Sequence, residues 1–254
     1  MSRYTDIDIQ NKKLPPIGGY WNENLVPLET ALKPIESLFN DLSRSIKTAK
    51  KHCHFPSPHG LSRDESAAIY LYTMEGGQNS FYKVLNDALR SENRSALKIW
   101  FPFLKLFEVA TNKLPTIRAS IWRGVSGNVS GQFKKNQVFT WWSISSCSQS
   151  VDVIQDFLGT NKNSTLFMIE AVSAKDISSY SYYPSENEIV LSMGTELRVK
   201  ADTLKHPGGL NIVHLVQLDQ DSDDGDDDDD DDLSKNIGKM NLNTETPATH
   251  AISK

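Results

Sequence analysis

The stretch Tyr183-Pro184-Ser185-Glu186-Asn187-Glu188-Ile189-Val190-Leu191 sets two carboxylates directly ahead of a run of branched apolar residues. The Pro-Ser pair reads as a turn and Ile189–Leu191 as a β-strand, so the carboxylates stand where a loop enters a strand. Residues two apart on an extended chain project to one side, so Glu186 and Glu188 can both address one site. The plainer reading of such a pair is solvated charge on an edge strand. The apolar run behind it argues instead for a strand that belongs to a core.

Around this stretch the β-prone runs are short and separated by turns: Arg118–Arg123, Phe139–Ser145, Thr165–Val172, Glu188–Ser192, Thr195–Ala201 and Ile212–Leu218, with a short helix over Val151–Leu158. Upstream of residue 116 the periodicity is helical. Leu28, Leu32, Ile35, Phe39, Leu42, Ile46 and Ala49 recur at helical steps, with Pro34 at a start or kink. Ser62-Arg63-Asp64-Glu65 is a capping box that opens a second helix, which Gly76-Gly77 ends. Further helices run from Phe81 to Leu89 and from Pro102 to Lys113. Helices followed by strands argue for an α+β fold. Residues 1–27 read as an irregular arm that packs through Tyr20 and Trp21, residues 28–219 as the folded domain, and residues 220–254 as an acidic, polar, disordered tail.

Charge follows the same division. Residues 221–254 hold ten Asp and one Glu against three Lys, including seven consecutive Asp, whereas residues 1–220 hold 24 Lys and Arg against 21 Asp and Glu. A folded part that is only mildly basic excludes a nucleic-acid partner, and the tail offers a docking site for a basic protein. The Asp run lacks the Gly and Glu placement of a calcium loop. His52, Cys53, His54 and His59 match no zinc spacing, so no metal is expected. The two Cys, Cys53 and Cys147, permit at most one disulfide. The first residues carry no apolar signal segment and no run is long enough to span a membrane, so the expected location is cytoplasmic. No G-x-G-x-x-G after a strand and no P-loop is present, which excludes a Rossmann site or a nucleotide hydrolase.

Two more segments precede the carboxylate pair: Ile121-Trp122-Arg123-Gly124-Val125, and Ser143-Ile144-Ser145-Ser146-Cys147-Ser148. Arg123 lies 23 residues before Ser146, which lies 42 before Glu188. Singly, these are a strand arginine and a polar strand edge. As an ordered set with strand context, they resemble the arginine, serine and Glu-x-Glu motifs of arginine-specific mono-ADP-ribosyltransferases. Asp64–Thr73, Leu85–Arg90 and Thr195–Val199 are also similar to that family, and the likeness covers about residues 60–218.

The resemblance implies helices packed on two facing β-sheets with a cleft for NAD⁺ between them. It implies cleavage of the nicotinamide–ribose bond and transfer of ADP-ribose to an arginine of a target protein, or to a small mimic such as agmatine. The alternatives are an NAD⁺ glycohydrolase and a non-catalytic binding member of the fold. Carried onto this chain, Glu188 is the catalytic carboxylate at the ribose and Glu186 engages the incoming arginine. Ser146 orients Glu188, with Ser143 and Ser145 the other candidate hydroxyls. Arg123 holds the NAD⁺ phosphates, Gly124 offers its backbone to the nicotinamide, and Tyr182 and Tyr183 recognise the target. The chemistry suits these residue types: a carboxylate faces the oxocarbenium-like charge that develops on the ribose, and a guanidinium suits phosphate oxygens. The sequence departs from the family at Cys147, where Thr is usual, and a thiol is the weaker hydrogen-bonding group.

Overall fold

The computed structural model describes residues 3–6, 13–76, 79–158, 163–205 and 209–219. The expected acidic tail lies outside them, as does Gly77. Five helices form the first half: α1 (Leu28–Leu32), α2 (Leu42–His52), α3 (Arg63–Thr73), α4 (Phe81–Leu89) and α5 (Phe101–Asn112). The stripe over residues 28–50 is therefore not one helix. A 3₁₀ segment, Lys33–Leu38, separates α1 from α2, and Pro34 sits in its first turn; a proline there has no N–H to lose and clashes with nothing behind it. The capping box of α3 is complete, with Glu65 N donating to Ser62 Oγ and Ser62 N to the Glu65 carboxylate. Lys113 at the end of α5 pairs with the same Glu65 at 2.7 Å, which ties the two helices together.

Eight strands follow: β1 (Thr116–Ser126), β2 (Val138–Trp141), β3 (Ser145–Ser148), β4 (Ser164–Asp176), β5 (Glu188–Leu191), β6 (Thr195–Val199), β7 (Leu204–Lys205) and β8 (Leu210–Gln217). A sixth helix, α6 (Val151–Leu158), lies between β3 and β4 and packs on β1. The run expected over Phe139–Ser145 is thus two strands with a break between them. The strands are hydrogen-bonded in the order β1-β3-β5-β4-β8-β6-β2, with β7 on β8. β1 also pairs with β4 along its whole length, so β1, β3, β5 and β4 close a ring. The two sheets of the expectation are continuous through these strands.

Two hydrophobic cores result. One lies among the helices and reaches the β-rich half through Ile144, Ile177, Tyr180 and Val190. The other lies within the sheet, around Ile121, Trp141, Phe167, Ile189, Leu191 and Leu215. β5 divides its apolar side chains between them, Val190 to the first and Ile189 and Leu191 to the second, which is the two-residue alternation of a strand buried on both faces. Trp141 belongs to the sheet core and Trp142 packs under the Arg94 guanidinium. Of the arm, Tyr20 is buried on Phe101 and Trp21 whereas Trp21 is 53% exposed. Cys53 and Cys147 are free thiols, one in each core. No helix among the described residues is long and apolar enough to cross a membrane.

Candidate active site

The three motif segments occupy three strands that are neighbours in space. Arg123 lies on β1, Ser146 on β3 and Glu188 opens β5. The β1–β3 register sets Trp122 against Ser148, and the β3–β5 register sets Ser148 against Glu188. Segments remote in sequence are thereby fixed on one stretch of sheet by backbone hydrogen bonds.

Glu186 and Glu188 do not sit on one extended strand. Glu186 ends a 3₁₀ turn, Pro184–Glu186, and Asn187 adopts a left-handed conformation (φ 48°, ψ 50°) before the strand begins. Asn tolerates that region better than most residues. The turn is held from β3, because Ser148 Oγ donates to the Glu186 carbonyl at 3.0 Å. Both carboxylates nevertheless converge on one guanidinium. Arg3 Nε donates to Glu188 Oε1 at 2.8 Å, and an Arg3 Nη hydrogen-bonds Glu186. Glu75 approaches the same group at 3.4 Å.

Glu188 is fully buried. Its other oxygen accepts from Ser181 Oγ at 3.2 Å. The hydroxyl that meets Glu188 is thus that of Ser181, in the loop before the carboxylate pair. Ser146, expected in that role, has its Oγ 3.3 Å from the Tyr72 hydroxyl, and Tyr72 Oη also lies 3.3 Å from the Ile144 carbonyl. Ser145 Oγ donates to the Ser143 carbonyl at 3.4 Å. Tyr72 is wholly buried, and burial with the nearby Glu188 charge raises its pKa well above the ordinary tyrosine value. It therefore stays a neutral hydroxyl between Ser146 and Ile144.

Arg123 is also fully buried, a cation for which desolvation is costly unless an anion compensates. The oxygens it meets are neutral: its two Nη atoms donate to the carbonyls of Ser146 and Asp6, while Nε has no hydrogen-bond partner among the described residues. Its guanidinium carbon lies 5.7 Å from the centre of the Trp141 ring. A buried guanidinium whose oxygen partners are two neutral carbonyls fits an anionic ligand such as a pyrophosphate.

The glycine next to it has a packing role too. A Cβ on Gly124 would come within 2.7 Å of Ile154 Cγ2 and 3.0 Å of Leu158 Cδ1. The absent side chain is what lets α6 lie against β1. Tyr182 and Tyr183 pack edge to face, centroids 4.6 Å apart, and Tyr183 lies 5.5 Å from the Arg3 guanidinium. Tyr182 is 40% exposed and packs on Tyr70 of α3.

Cys147 is wholly buried in the sheet core, and burial pushes its thiol up to about 12 despite the Arg123 charge nearby. It is a neutral packing residue, with a weak contact from Sγ to the Ser145 carbonyl at 3.7 Å. His59 and Ser57 are used structurally, both bonded to the Tyr180 hydroxyl at 2.8 and 2.6 Å.

The profile of the family NAD:arginine ADP-ribosyltransferase matches residues 31–223. The chain belongs to that family. The Mav protein of Mycobacterium avium (strain 104), named among NAD(+)–arginine ADP-ribosyltransferases, is 30% identical over 178 residues, which cover 68% of this chain and 20% of that protein. The erythroblast NAD(P)(+)–arginine ADP-ribosyltransferase of Gallus gallus is 28% identical over 158 residues, 58% of this chain and 49% of that one. The chain thus corresponds to between a fifth and a half of the length of these relatives.

Among solved structures, the ADP-ribosyltransferase Vis, crystallised with agmatine, superposes with a TM-score of 0.51 at 15% identity, covering 79% of this chain and 90% of that one. HopU1 of Pseudomonas syringae pv. Tomato DC3000 gives 0.52 at 19% identity, covering 74% and 87%. At these identities the likeness is one of fold, and it is the ADP-ribosyltransferase fold.

The residues that sequence reasoning did not reach are Arg3, Asp6, Tyr72, Ser148 and Ser181. Ser148 carried a signal, since it stands two residues from Ser146 and so shares its side of the strand. Tyr72 is an aromatic on a helix whose C-terminal half is buried except at Tyr70, a pattern that also describes an ordinary core residue.

Proposed function

We propose that this chain cleaves NAD⁺ at the nicotinamide–ribose bond and passes the ADP-ribose to an arginine side chain. The observation that carries the reading is the convergence of Glu186 and Glu188 on one guanidinium, beside a buried Arg123 that faces only neutral oxygens. The first arrangement suits an arginine acceptor and the second a phosphate.

In this reading Arg123 holds the pyrophosphate and Glu188 accepts a hydrogen bond from the nicotinamide ribose. As the bond between ribose C1′ and the nicotinamide nitrogen breaks, its electron pair leaves with nicotinamide and positive charge grows on the ribose. The buried Glu188 carboxylate, fixed by Ser181, stabilises that charge without reorganising. An acceptor guanidinium nitrogen then forms the new bond to C1′ and gives up a proton to Glu186. Burial, opposed by the nearby Arg3 charge and reinforced by Glu188, raises the Glu186 pKa, which makes it a better base than an ordinary glutamate. Ser146 acts through Tyr72 and through its own carbonyl on Arg123, and so positions the phosphate-binding side. Tyr182 and Tyr183 flank the acceptor, and the Gly124 backbone faces the nicotinamide. The target is the arginine of a protein, with agmatine as its small mimic. No residue of the site requires a metal for these steps.

The test is incubation with labelled NAD⁺ and agmatine, beside a Glu188→Gln variant. Labelled agmatine that disappears in the variant supports the reading. Nicotinamide release with unlabelled agmatine replaces it with a glycohydrolase, and absence of turnover replaces it with a binding protein.

A further inference from the structure

The segment Arg3–Asp6 lies inside the candidate site, and nothing in its own secondary structure puts it there. It is a single 3₁₀ turn, Arg3–Thr5, followed by Asp6. Four such residues on a surface would be exposed, yet Arg3 is 1%, Tyr4 0% and Asp6 8% exposed. What buries them is contact with the cleft. Arg3 bonds Glu188, Glu186 and Glu75 and stacks between the rings of Tyr4 and Tyr183, 5.2 and 5.5 Å from their centres. The Asp6 carbonyl accepts from Arg123. The Asp6 carboxylate accepts from Arg90 at 2.7 Å and from Asn86 at 3.1 Å.

Every charged side chain assigned to the reaction thus has a partner from these residues. The pairing is chemically matched at one end and mismatched at the other. At Glu186 and Glu188 the segment supplies a guanidinium, the group an acceptor would supply. Burial alone would make the Arg3 cation easier to deprotonate, but Glu188 and Glu186 more than reverse this, so it is held firmly charged. At Arg123 the segment supplies only a neutral carbonyl, which a phosphate oxygen outbids as a charged acceptor. The matched family stretch begins at residue 31 and does not include these residues.

We infer that the cleft is a binding site for an arginyl peptide segment and that Arg3–Asp6 is its internal occupant, so that NAD⁺ and an external arginine enter only when this segment leaves. This rests on the roles proposed above for Glu186, Glu188 and Arg123. The segment is a substrate look-alike covalently attached to the enzyme, and its hold on the site is set by local concentration rather than by intrinsic affinity. A target able to bind residues 3–6 would open the cleft, and so would a high concentration of NAD⁺.

The experiment uses the full chain and ADP-ribose as probe, since it carries the pyrophosphate but no scissile nicotinamide bond. Its Kd is measured for the unmodified chain and for Arg3→Ala. The variant should bind at least ten-fold more tightly. A free peptide of residues 3–8 added to the variant should weaken ADP-ribose binding competitively, and the same peptide with alanine in place of its arginine should not. Hydrogen exchange on the unmodified chain needs no substitution: the amides of Tyr4, Thr5 and Asp6 should lose protection on saturation with ADP-ribose. Equal Kd values in the two proteins, or amides that stay protected at saturation, overturn the inference. Labelled agmatine from a chain with those results leaves the proposed function standing without the occupant. Peptide competition in a chain that labels no agmatine leaves the occupant standing without the function.

Discussion

Two charged clusters are built on the strands of this protein, and they follow opposite rules. On β4 and β8, Glu170 meets His214 Nε2 at 2.7 Å and Lys200 Nζ at 3.0 Å. One carboxylate there faces two nitrogen partners at a half-open surface, and the Glu170 pKa is held down at about 2, first by the His214 hydrogen bond. In the cleft, three carboxylates, Glu75, Glu186 and Glu188, surround one guanidinium, and Arg123 is buried beside them on neutral oxygens. In the first cluster the one carboxylate is matched by its own fixed partners, and the group left over is the buried His214 Nδ1. The second has carboxylates in excess at one end and an unmatched cation at the other, an imbalance that a structural cluster would not retain at the cost of desolvation. That imbalance is what supports the proposed binding of charged ligands there. In the proposed reaction, one end would take the acceptor guanidinium and the other the phosphates of the dinucleotide, from which ADP-ribose is transferred as nicotinamide leaves.

The sharpest way to break this contrast is Glu188→Gln. The amide keeps the shape and can still bond Ser181, but it removes the charge. If the buried carboxylate stabilises the developing ribose cation, transfer to agmatine should fall by about a thousand-fold, with the folded state intact by circular dichroism. A loss below ten-fold would reduce Glu188 to a structural ion-pair partner, no different in kind from Glu170. Arg123→Lys comes next. Lys keeps the charge but not the planar fork, so the KM for NAD⁺ should rise roughly ten- to a hundred-fold while kcat falls much less. A change confined to kcat would move Arg123 away from the phosphates.

How much of this was legible in the sequence follows from what holds each part. Strong local signals gave the helices: the Ser62–Glu65 capping box and the apolar periods of α4, α5 and α6 need no tertiary context. The strand positions of Arg123 and Glu188 were legible because each belongs to a short motif on a strand, and strand pairing then brings the motifs together. The break of the first stripe at Lys33–Leu38 was only half legible, since Pro34 permits either a helix start or a kink. Side-chain partners across long loops left no trace. Ser181 at Glu188 and Tyr72 at Ser146 are set by how the loops and α3 close over the sheet. The burial of Arg3 was the least legible, because a single 3₁₀ turn in an arm rich in Pro and Gly has no periodicity to read. Cys147 looked like a defect in a motif, and the structure shows a thiol packed in the sheet core, close to the Arg123 and Glu188 charges.

Titration sharpens the comparison, because Glu170 in one cluster and Glu186 in the other shift in opposite directions. Burial and the neighbouring Glu188 raise the Glu186 pKa, against the opposing effect of Arg3. An acid that must be ionised to take a proton loses function as pH falls through its own pKa. The acid limb of kcat/KM for agmatine should therefore lie above the ordinary glutamate value of about 4.3, and it should disappear in Glu186→Gln, leaving a lower and flatter profile. A limb at or below the ordinary value in the unmodified protein would take the proton-accepting role away from Glu186.

The smallest effect belongs to the cluster whose carboxylate is matched. A carboxylate whose folded pKa is depressed contributes stability that is present above its unfolded value and is lost as pH falls through the folded one. For Glu170 that window runs from about 4.5 down to about 2. Its side chain is 37% exposed and Lys200 is 38% exposed, so solvent screening limits the contribution to about 1 kcal/mol or less. Glu170→Gln should lower the unfolding free energy by that amount at neutral pH, measured by denaturant titration. The gap between the two proteins should close as the pH approaches the bottom of the window, and transfer to agmatine should be unaffected throughout. Salt separates the clusters as well: raising ionic strength should shrink the Glu170 effect, which is screened at the surface, while the loss caused by Glu188→Gln should persist because that charge acts where water is excluded. A Glu170→Gln gap that neither salt nor acid reduces would mean that packing of β4 on β8, rather than charge, is what that residue contributes.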